Sequence, residues 1–194
     1  MKLFIIVIAI LVSPVLLTAQ TSPKGIDENA KAPMFSAKDQ NGQTFNLSSA
    51  LKKGPVVLVF YRGQWCPYCN KQLAALEDSL ELIKAKGATL IAVSPEKLEN
   101  IKKTVPKTKA TYPVIFDEGL KIMKLYDVAF AVDEATVEKY KGYGIDFNEA
   151  NGDNGATLPV PTVYIINQKG IISFKHFDSD YRKRVSVSEI LTKL

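Results

Sequence analysis

Two cysteines, Cys66 and Cys69, have two residues between them and are the only cysteines among the 194 residues. An apolar run at 55–61 precedes them and helical periodicity follows, so the pair lies where a buried strand meets a helix. At a helix N-terminus the unpaired N–H groups and the helix dipole favour a negative charge, which activates a thiol. Cys69, one turn later, can close a disulfide on Cys66. We therefore predict a redox pair in which Cys66 attacks and Cys69 resolves.

The residues around the pair favour redox chemistry over a static disulfide or two inert thiols. Trp65 stands directly before Cys66, and Pro67 suits the first helical turn because its missing N–H costs nothing there. The only histidine, His176, is remote in sequence, and no second cysteine pair exists to complete a four-cysteine zinc site. We expect neither a metal nor a cofactor.

Composition narrows the class of protein. Hydrophobic residues make up 46% of the chain and charged residues 23%, as in a soluble globular protein. The net charge of +5 permits binding to nucleic acid, but the basic residues are scattered and form no aromatic-interleaved stripe. We predict no nucleic-acid partner.

The N-terminus has the pattern of a secretory signal peptide. Lys2 is followed by an apolar run at 3–17 and by the small residue Ala19. The run is shorter than the roughly 20 residues that span a bilayer, so we predict cleavage after Ala19, with 18–20 as a competing window, and no stable membrane insertion afterwards. The protein would be exported to the periplasm or secreted. The predicted division is therefore a signal peptide at 1–19, a flexible leader at 20–31 and one domain at 32–194.

The elements that must position the cysteines follow from periodicity and turn chemistry. The sequence predicts an N-terminal β-hairpin around Asn41-Gly42 and a long helix over 69–86. A second helix opens at Ser94-Pro95-Glu96, and an insertion at 127–158 contains some helix near 134–140. A capping box at Ser186–Glu189 opens the last helix. The predicted strands of the main sheet lie at 56–61, 89–93, 113–116, 162–166 and 171–175.

The segment from Phe60 to Cys69 resembles a peroxiredoxin-like group of the alkyl hydroperoxide reductase/thiol-specific antioxidant (redoxin) family, within the thioredoxin superfamily. Leu158–Thr162 and the Asp180-Tyr181…Arg184 segment carry the same resemblance. It implies an α/β thioredoxin-like fold with a central mixed β-sheet flanked by helices. An N-terminal hairpin and an insertion before the cis-proline strand complete that fold. Val160-Pro161 would hold the cis bond against the cysteines, with Pro159 as the competing proline.

The resemblance also implies a function. The protein would be a thiol-dependent peroxidase that reduces hydroperoxides, and a thioredoxin-like donor would reduce its disulfide. Members of the family carry a threonine or serine three residues before the nucleophilic cysteine, where this chain has Gly63. Arg62 and Arg184 are implied to stabilise charge on the departing oxygen. A periplasmic thiol-disulfide oxidoreductase is the alternative, and a binding module with a permanent disulfide is a third. The sequence does not decide the oligomeric state, and a homodimer is one possibility.

Overall fold

A computed structural model of the chain describes residues 22–194, so the predicted signal peptide and its cleavage site lie outside the described residues. The strands are β1 Ser36–Lys38, β2 Thr44–Asn46, β3 Val56–Phe60, β4 Thr89–Ser94, β5 Val114–Phe116, β6 Ala129–Ala131, β7 Thr157–Pro159, β8 Thr162–Ile166 and β9 Ile172–Phe177. The α-helices are α1 Leu47–Leu51, α2 Pro67–Asp78, α3 Leu80–Ala85, α4 Leu98–Thr108, α5 Lys121–Leu125, α6 Glu134–Gly142, α7 Phe147–Asn151 and α8 Val187–Lys193. Single 3₁₀ turns lie at Glu118–Leu120 and Gly152–Asn154.

The central sheet has the strand order β5-β4-β3-β8-β9. β3, β4 and β5 are parallel neighbours, whereas β8 is antiparallel to β3 and β9 is antiparallel to β8. This mixed sheet, flanked by helices, confirms the predicted thioredoxin-like fold. The β1–β2 hairpin is also confirmed, with Ala37 opposite Phe45.

Alternate residues of β3 enter two separate cores. Val57 and Val59 pack with the apolar residues of α2, α3 and α8, while Leu58 and Phe60 pack with those of α1 and α5. All five residues of β3 are buried, because helices cover both faces of the sheet. The loop that follows β3 is consequently anchored at its start by a strand with no solvent-exposed face.

Two predicted helices differ from the structure. The helix predicted over 69–86 begins at Pro67 and is interrupted at Ser79, whose φ of −110° and ψ of 10° are not helical. The helix predicted to open at Ser94-Pro95-Glu96 begins at Leu98, because Ser94 completes β4. Glu96 is then not a first-turn surface acid: its side chain is fully buried.

The insertion predicted at 127–158 has more structure than its sequence suggested. The helix near 134–140 is confirmed as α6. An antiparallel ribbon of β6 and β7, together with α7, was not predicted. The ribbon brings the two ends of the insertion together, with Phe130 opposite Leu158. No residue of α6 is buried in the core, so α6 is free to cover another surface.

The segment predicted as a flexible leader makes backbone contacts with the domain over its described part. The N–H of Asn29 donates to the carbonyl of Ile172 at 2.8 Å, and the N–H of Gly25 to that of Asp127 at 2.9 Å. The domain boundary at residue 32 remains a prediction. Over residues 22–194, none of the helices combines the length and the apolar character needed to cross a membrane.

Candidate active site

The cysteine pair lies in the loop between β3 and α2. Cys66 is the N-cap residue of α2, Pro67 is its first helical residue, and Cys69 follows one turn later. The N–H of Cys66 donates to the carbonyl of Gly63 at 3.1 Å, which fixes the turn before the helix. Both thiols are free, with exposures of 1% for Cys66 and 0% for Cys69. The structure thus places the pair where the sequence predicted it.

Within the pair, the surroundings favour a negative charge on Cys69. The hydrogen bond that Cys66 shares with the Cys69 thiol raises the pKa of Cys66, and burial raises it further. Burial opposes charge on Cys69 too, but the Cys66 thiol, the Arg184 guanidinium and the N–H of Arg62 together lower the pKa of Cys69 to about 6. That Cys66 is the attacking thiolate stays a prediction, because the pair shares one proton across this hydrogen bond. Moving one proton along the Cys66–Cys69 hydrogen bond transfers the charge to Cys66.

Arg184, which precedes α8, reaches the pair from the far end of the chain. Its Nη2 lies 3.4 Å from the Cys69 sulfur, and its Nη1 donates to the Gln72 side chain at 3.0 Å. Its Nε donates to the carbonyl of Tyr181 at 2.8 Å. These contacts aim the guanidinium at Cys69, so Arg184 belongs to the site but acts first on the resolving thiol.

Arg62 is a buried cation held by aromatic rings. It is 4% exposed, its guanidinium carbon lies 4.2 Å from the ring centre of Tyr181 and 4.9 Å from that of Trp65, and it donates a hydrogen bond to the Tyr140 hydroxyl. The salt bridges found over residues 22–194 involve neither Arg62 nor Arg184. Without a carboxylate partner, the positive charge of Arg62 is available to stabilise a thiolate.

A cavity of about 420 Å³ opens onto Cys66. Aromatic side chains from α2, α6 and the segment before α8 form much of its wall, and it has no acidic lining residue. Trp65 packs edge-on against Tyr140 and against Phe147 at ring-centre distances of 5.4 and 5.7 Å. Sequence analysis missed this contribution of the insertion. The aromatic residues between 140 and 147 were its only signal.

Pro161 borders the site, but the predicted cis bond at Val160-Pro161 is wrong, because every peptide bond over residues 22–194 is trans. Val160 donates its N–H to the carbonyl of Val128 at 2.8 Å, which continues the β6–β7 ribbon up to Pro161. A trans X–Pro bond is also the intrinsically favoured form, by about 0.5–1 kcal/mol. Pro161 and Arg62 share the wall of a smaller cavity of about 160 Å³, so the proline still borders the site.

Gly63 and the Glu96 side chain lie against each other at the loop before α2. Glu96 accepts a hydrogen bond from the N–H of Gln64 at 2.7 Å through Oε2. A Cβ atom on Gly63 would lie 2.8 Å from Glu96 Oε1 and 2.5 Å from Trp65 Nε1, which is too close for either contact. The threonine or serine that the resemblance implies at this position would therefore fit only if Trp65 or Glu96 moved. Burial raises the pKa of Glu96 to about 8.

Comparison with known proteins places the chain in a family. Residues 29–175 match the AhpC/TSA family. The chloroplastic peroxiredoxin Q of Triticum aestivum is 28% identical over 166 residues, which cover 86% of this chain and 65% of the wheat protein. That of Suaeda salsa is 37% identical over 103 residues, covering 53% of this chain and 48% of the relative. The chain thus spans about two thirds or less of the length of these curated relatives.

Solved structures agree on the fold. The peroxidoxin BcpB of Mycobacterium tuberculosis superimposes with a TM-score of 0.65 at 19% identity, covering 86% of this chain and 94% of that one. The reduced 2-Cys peroxiredoxin of Plasmodium vivax gives a TM-score of 0.63 at 18% identity, covering 85% and 92%. With most of its length matched to one family model and its cysteine pair at the helix start, the chain belongs to the AhpC/TSA family of the thioredoxin superfamily.

Proposed function

We propose that this protein is a thiol-dependent peroxidase that reduces hydroperoxides through Cys66 and Cys69. The observation that carries the proposal is the placement of Cys66, which lines an open cavity together with Arg62, while the Cys69 thiol and Arg184 lie behind it. Membership of the AhpC/TSA family and the similarity to peroxiredoxin Q support the same chemistry.

The geometry suits a small oxidant better than a protein disulfide. Cys66 is 1% exposed, so a hydroperoxide can enter the cavity with the aromatic wall in place, whereas a protein disulfide or a protein donor reaches the sulfur only when that wall moves. In the proposed reaction the Cys66 thiolate attacks the terminal peroxide oxygen and the O–O bond breaks. Cys66 becomes a sulfenic acid and the alcohol leaves. Arg62 stabilises the charge that develops on the departing oxygen.

Cys69 completes the cycle. Its sulfur attacks the sulfenic acid, a disulfide forms and water leaves. A thioredoxin-like dithiol donor then supplies two electrons and returns both cysteines to thiols. The charge that Arg184 holds on Cys69 makes this sulfur reactive as soon as Cys66 is oxidised.

Two serine variants test the proposal. Cys66→Ser should abolish hydroperoxide consumption, while Cys69→Ser should consume one equivalent and stop at the sulfenic acid, detected by mass spectrometry with a dimedone probe. A native protein that oxidises the dithiols or reduces the disulfides of model proteins but leaves hydroperoxides intact would refute the peroxidase.

The alternative, a thiol-disulfide oxidoreductase, is favoured by one observation: Gly63 offers no hydroxyl to hold a peroxide, and any side chain there would displace Trp65 or Glu96. For that activity, the Cys69→Ser variant should accumulate mixed disulfides with client proteins. The two activities therefore give different products from the same variant.

We further propose that the chain is exported and cleaved after Ala19. The charged residue, apolar run and small residue at 2–19 support this proposal. Expression in a bacterial host, followed by mass spectrometry of the periplasmic fraction, should show a chain that begins at Gln20. Recovery of the intact chain from the cytoplasm would refute export.

A further inference from the structure

The proposed oxidation needs two protons, and the cysteine pair holds only one. Breaking the O–O bond releases an alkoxide, and closing the disulfide releases a hydroxide, so each departing oxygen takes up one proton. With the pKa of Cys69 at about 6, the pair at neutral pH consists of one thiolate and one thiol. The second proton must come from another group or from solvent, and both thiols are buried.

Glu96 is the buried acid next to the pair. Two N–H groups of the same loop connect them: that of Arg62 donates to the Cys69 sulfur, and that of Gln64 donates to Glu96 Oε2. Gly63 lies between these two donors and has no side chain to separate the groups. Glu96 Oε1 lies within 2.8 Å of the point that a Gly63 Cβ would occupy. The carboxyl group and the cysteine pair are therefore held against one short stretch of backbone.

A purely structural role explains the burial of only one of the two carboxyl oxygens of Glu96. Oε2 fixes the loop through Gln64, and a glutamine could do the same. Oε1 is buried and has no hydrogen-bond partner among the described residues. An ionised carboxylate in such a place is costly, whereas a protonated carboxyl with its hydrogen on Oε1 is tolerated.

We propose, on the basis of the redox cycle above, that Glu96 stores the second proton of the Cys66–Cys69 couple, neutral in the dithiol and ionised in the disulfide. On oxidation the thiolate, the thiol, the Glu96 carboxyl and one hydroperoxide become a disulfide, a carboxylate, an alcohol and water. The reverse step balances too: of the two hydrogens of a dithiol reductant, one returns to a cysteine and the other to Glu96. Neither direction needs a proton from solvent.

The groups that face Glu96 determine whether its pKa rises or falls when the cysteines are oxidised. The Cys69 thiolate, on α2, repels a charge on Glu96 and raises its pKa in the dithiol. Lys103 and Lys107, both exposed on α4, lower it, and the Tyr61 hydroxyl after β3 is neutral. Oxidation removes only the thiolate from this set. The pKa of Glu96 should therefore fall when the disulfide forms, which releases the stored proton at the step that consumes it.

Proton counting during oxidation by glutathione disulfide tests the proposal without any peroxide, so its outcome does not depend on the peroxidase activity. In weakly buffered solution at neutral pH, the native protein should take up no proton per disulfide formed, and Glu96→Gln should take up one. Glu99→Gln, which neutralises an exposed acid three residues later, should behave like the native protein. Uptake of one proton by the native protein would overturn the proposal.

Carbon-13 NMR of the glutamate carboxyls in the native protein covers the case in which Glu96→Gln does not fold. One carboxyl should titrate near pH 8 in the dithiol and at least two pH units lower, a hundredfold change in acidity, in the disulfide, so that it is ionised at neutral pH only there. Equal titration in both redox states would overturn the proposal whatever the variant does.

Discussion

Replacing Arg184 by methionine should raise the pKa of Cys69. Disulfide formation should then be slower than in the native protein at neutral pH, and equally fast in alkaline solution. The Arg184 Nη2 lies 3.4 Å from the sulfur, a separation at which two unit charges attract by about 5 kcal/mol at an effective dielectric constant near 20. Competition with water reduces the net effect to the roughly 1.5–3 kcal/mol typical of a hydrogen bond to a charged group. At 1.36 kcal/mol per unit, the pKa should rise by about one to two units.

The consequence for reactivity follows from the ionised fraction. With a pKa of about 6, roughly nine in ten Cys69 thiols are ionised at pH 7, against about one in a hundred at the ordinary value of 9.0. In Arg184→Met the fraction should fall to between one tenth and one half. The rate of disulfide formation should drop by about two- to tenfold at pH 7 and recover as the pH approaches 9.

The ultraviolet absorbance of the thiolate, followed against pH, measures this pKa directly. A Cys66→Ser background leaves a single thiol and keeps a hydroxyl that can donate to it. Arg182→Met is the matched control, because Arg182 is exposed and pairs with Asp180 instead of a cysteine. Equal thiolate titration curves in the Arg184 and Arg182 variants would refute the assignment of Arg184 to Cys69.

Three further outcomes are expected. Gly63→Ser should lower the free energy of unfolding by about 1–3 kcal/mol in urea titrations, because its Cβ collides with Trp65 and Glu96; unchanged stability would contradict this packing. Tyr140→Phe removes the hydroxyl that binds Arg62 and should reduce kcat/KM for hydroperoxide about tenfold. An unchanged kcat/KM would show that Tyr140 contributes only its ring to the cavity wall. The pKa of Glu96, about 8, lies above its ordinary value of 4.5, so the folded protein keeps a proton that the unfolded chain has lost. The free energy of unfolding should therefore fall as pH rises from about 4.5 to 8, by a few kcal/mol, and Glu96→Gln should remove this part of the slope in melts at several pH values.

The sequence predicted the sheet and the cysteine pair because both depend on local patterns. A continuous apolar run such as 56–60 has few alternatives to a strand buried on both faces, and a proline after Cys66 marks a helix start. Arg184 could be assigned to the site only by resemblance, since 115 residues separate it from Cys69. The Arg184 guanidinium points at the sulfur of Cys69 and not at that of Cys66. This orientation depends on contacts with Gln72 and Tyr181 that no local sequence pattern encodes.

Glu96 shows why the other residues of the site could not be predicted from the sequence. Ser94-Pro95-Glu96 has the pattern of a capped helix start, in which the acid would point to solvent. In the structure β4 runs one residue further than predicted and the helix begins at Leu98, which turns Glu96 inward onto the loop at Gln64. A shift of a few residues in one boundary thus converts a surface acid into a buried one. The same limit applies to Tyr140, whose contact with Arg62 requires the unpredicted β6–β7 ribbon.

Charge balance connects these features. Arg62 and Arg184 bring two positive charges to the pair, and the Cys69 thiolate offsets one of them. Disulfide formation removes that thiolate, which would leave two cations beside an uncharged bridge in a buried site, and an increase in uncompensated buried charge is costly. If Glu96 ionises in the same step, the total charge of the site stays constant through the cycle. Its proton then also serves to keep the site equally stable in both redox states, so Glu96→Gln should destabilise the disulfide form relative to the dithiol form, measurable as a more oxidising reduction potential.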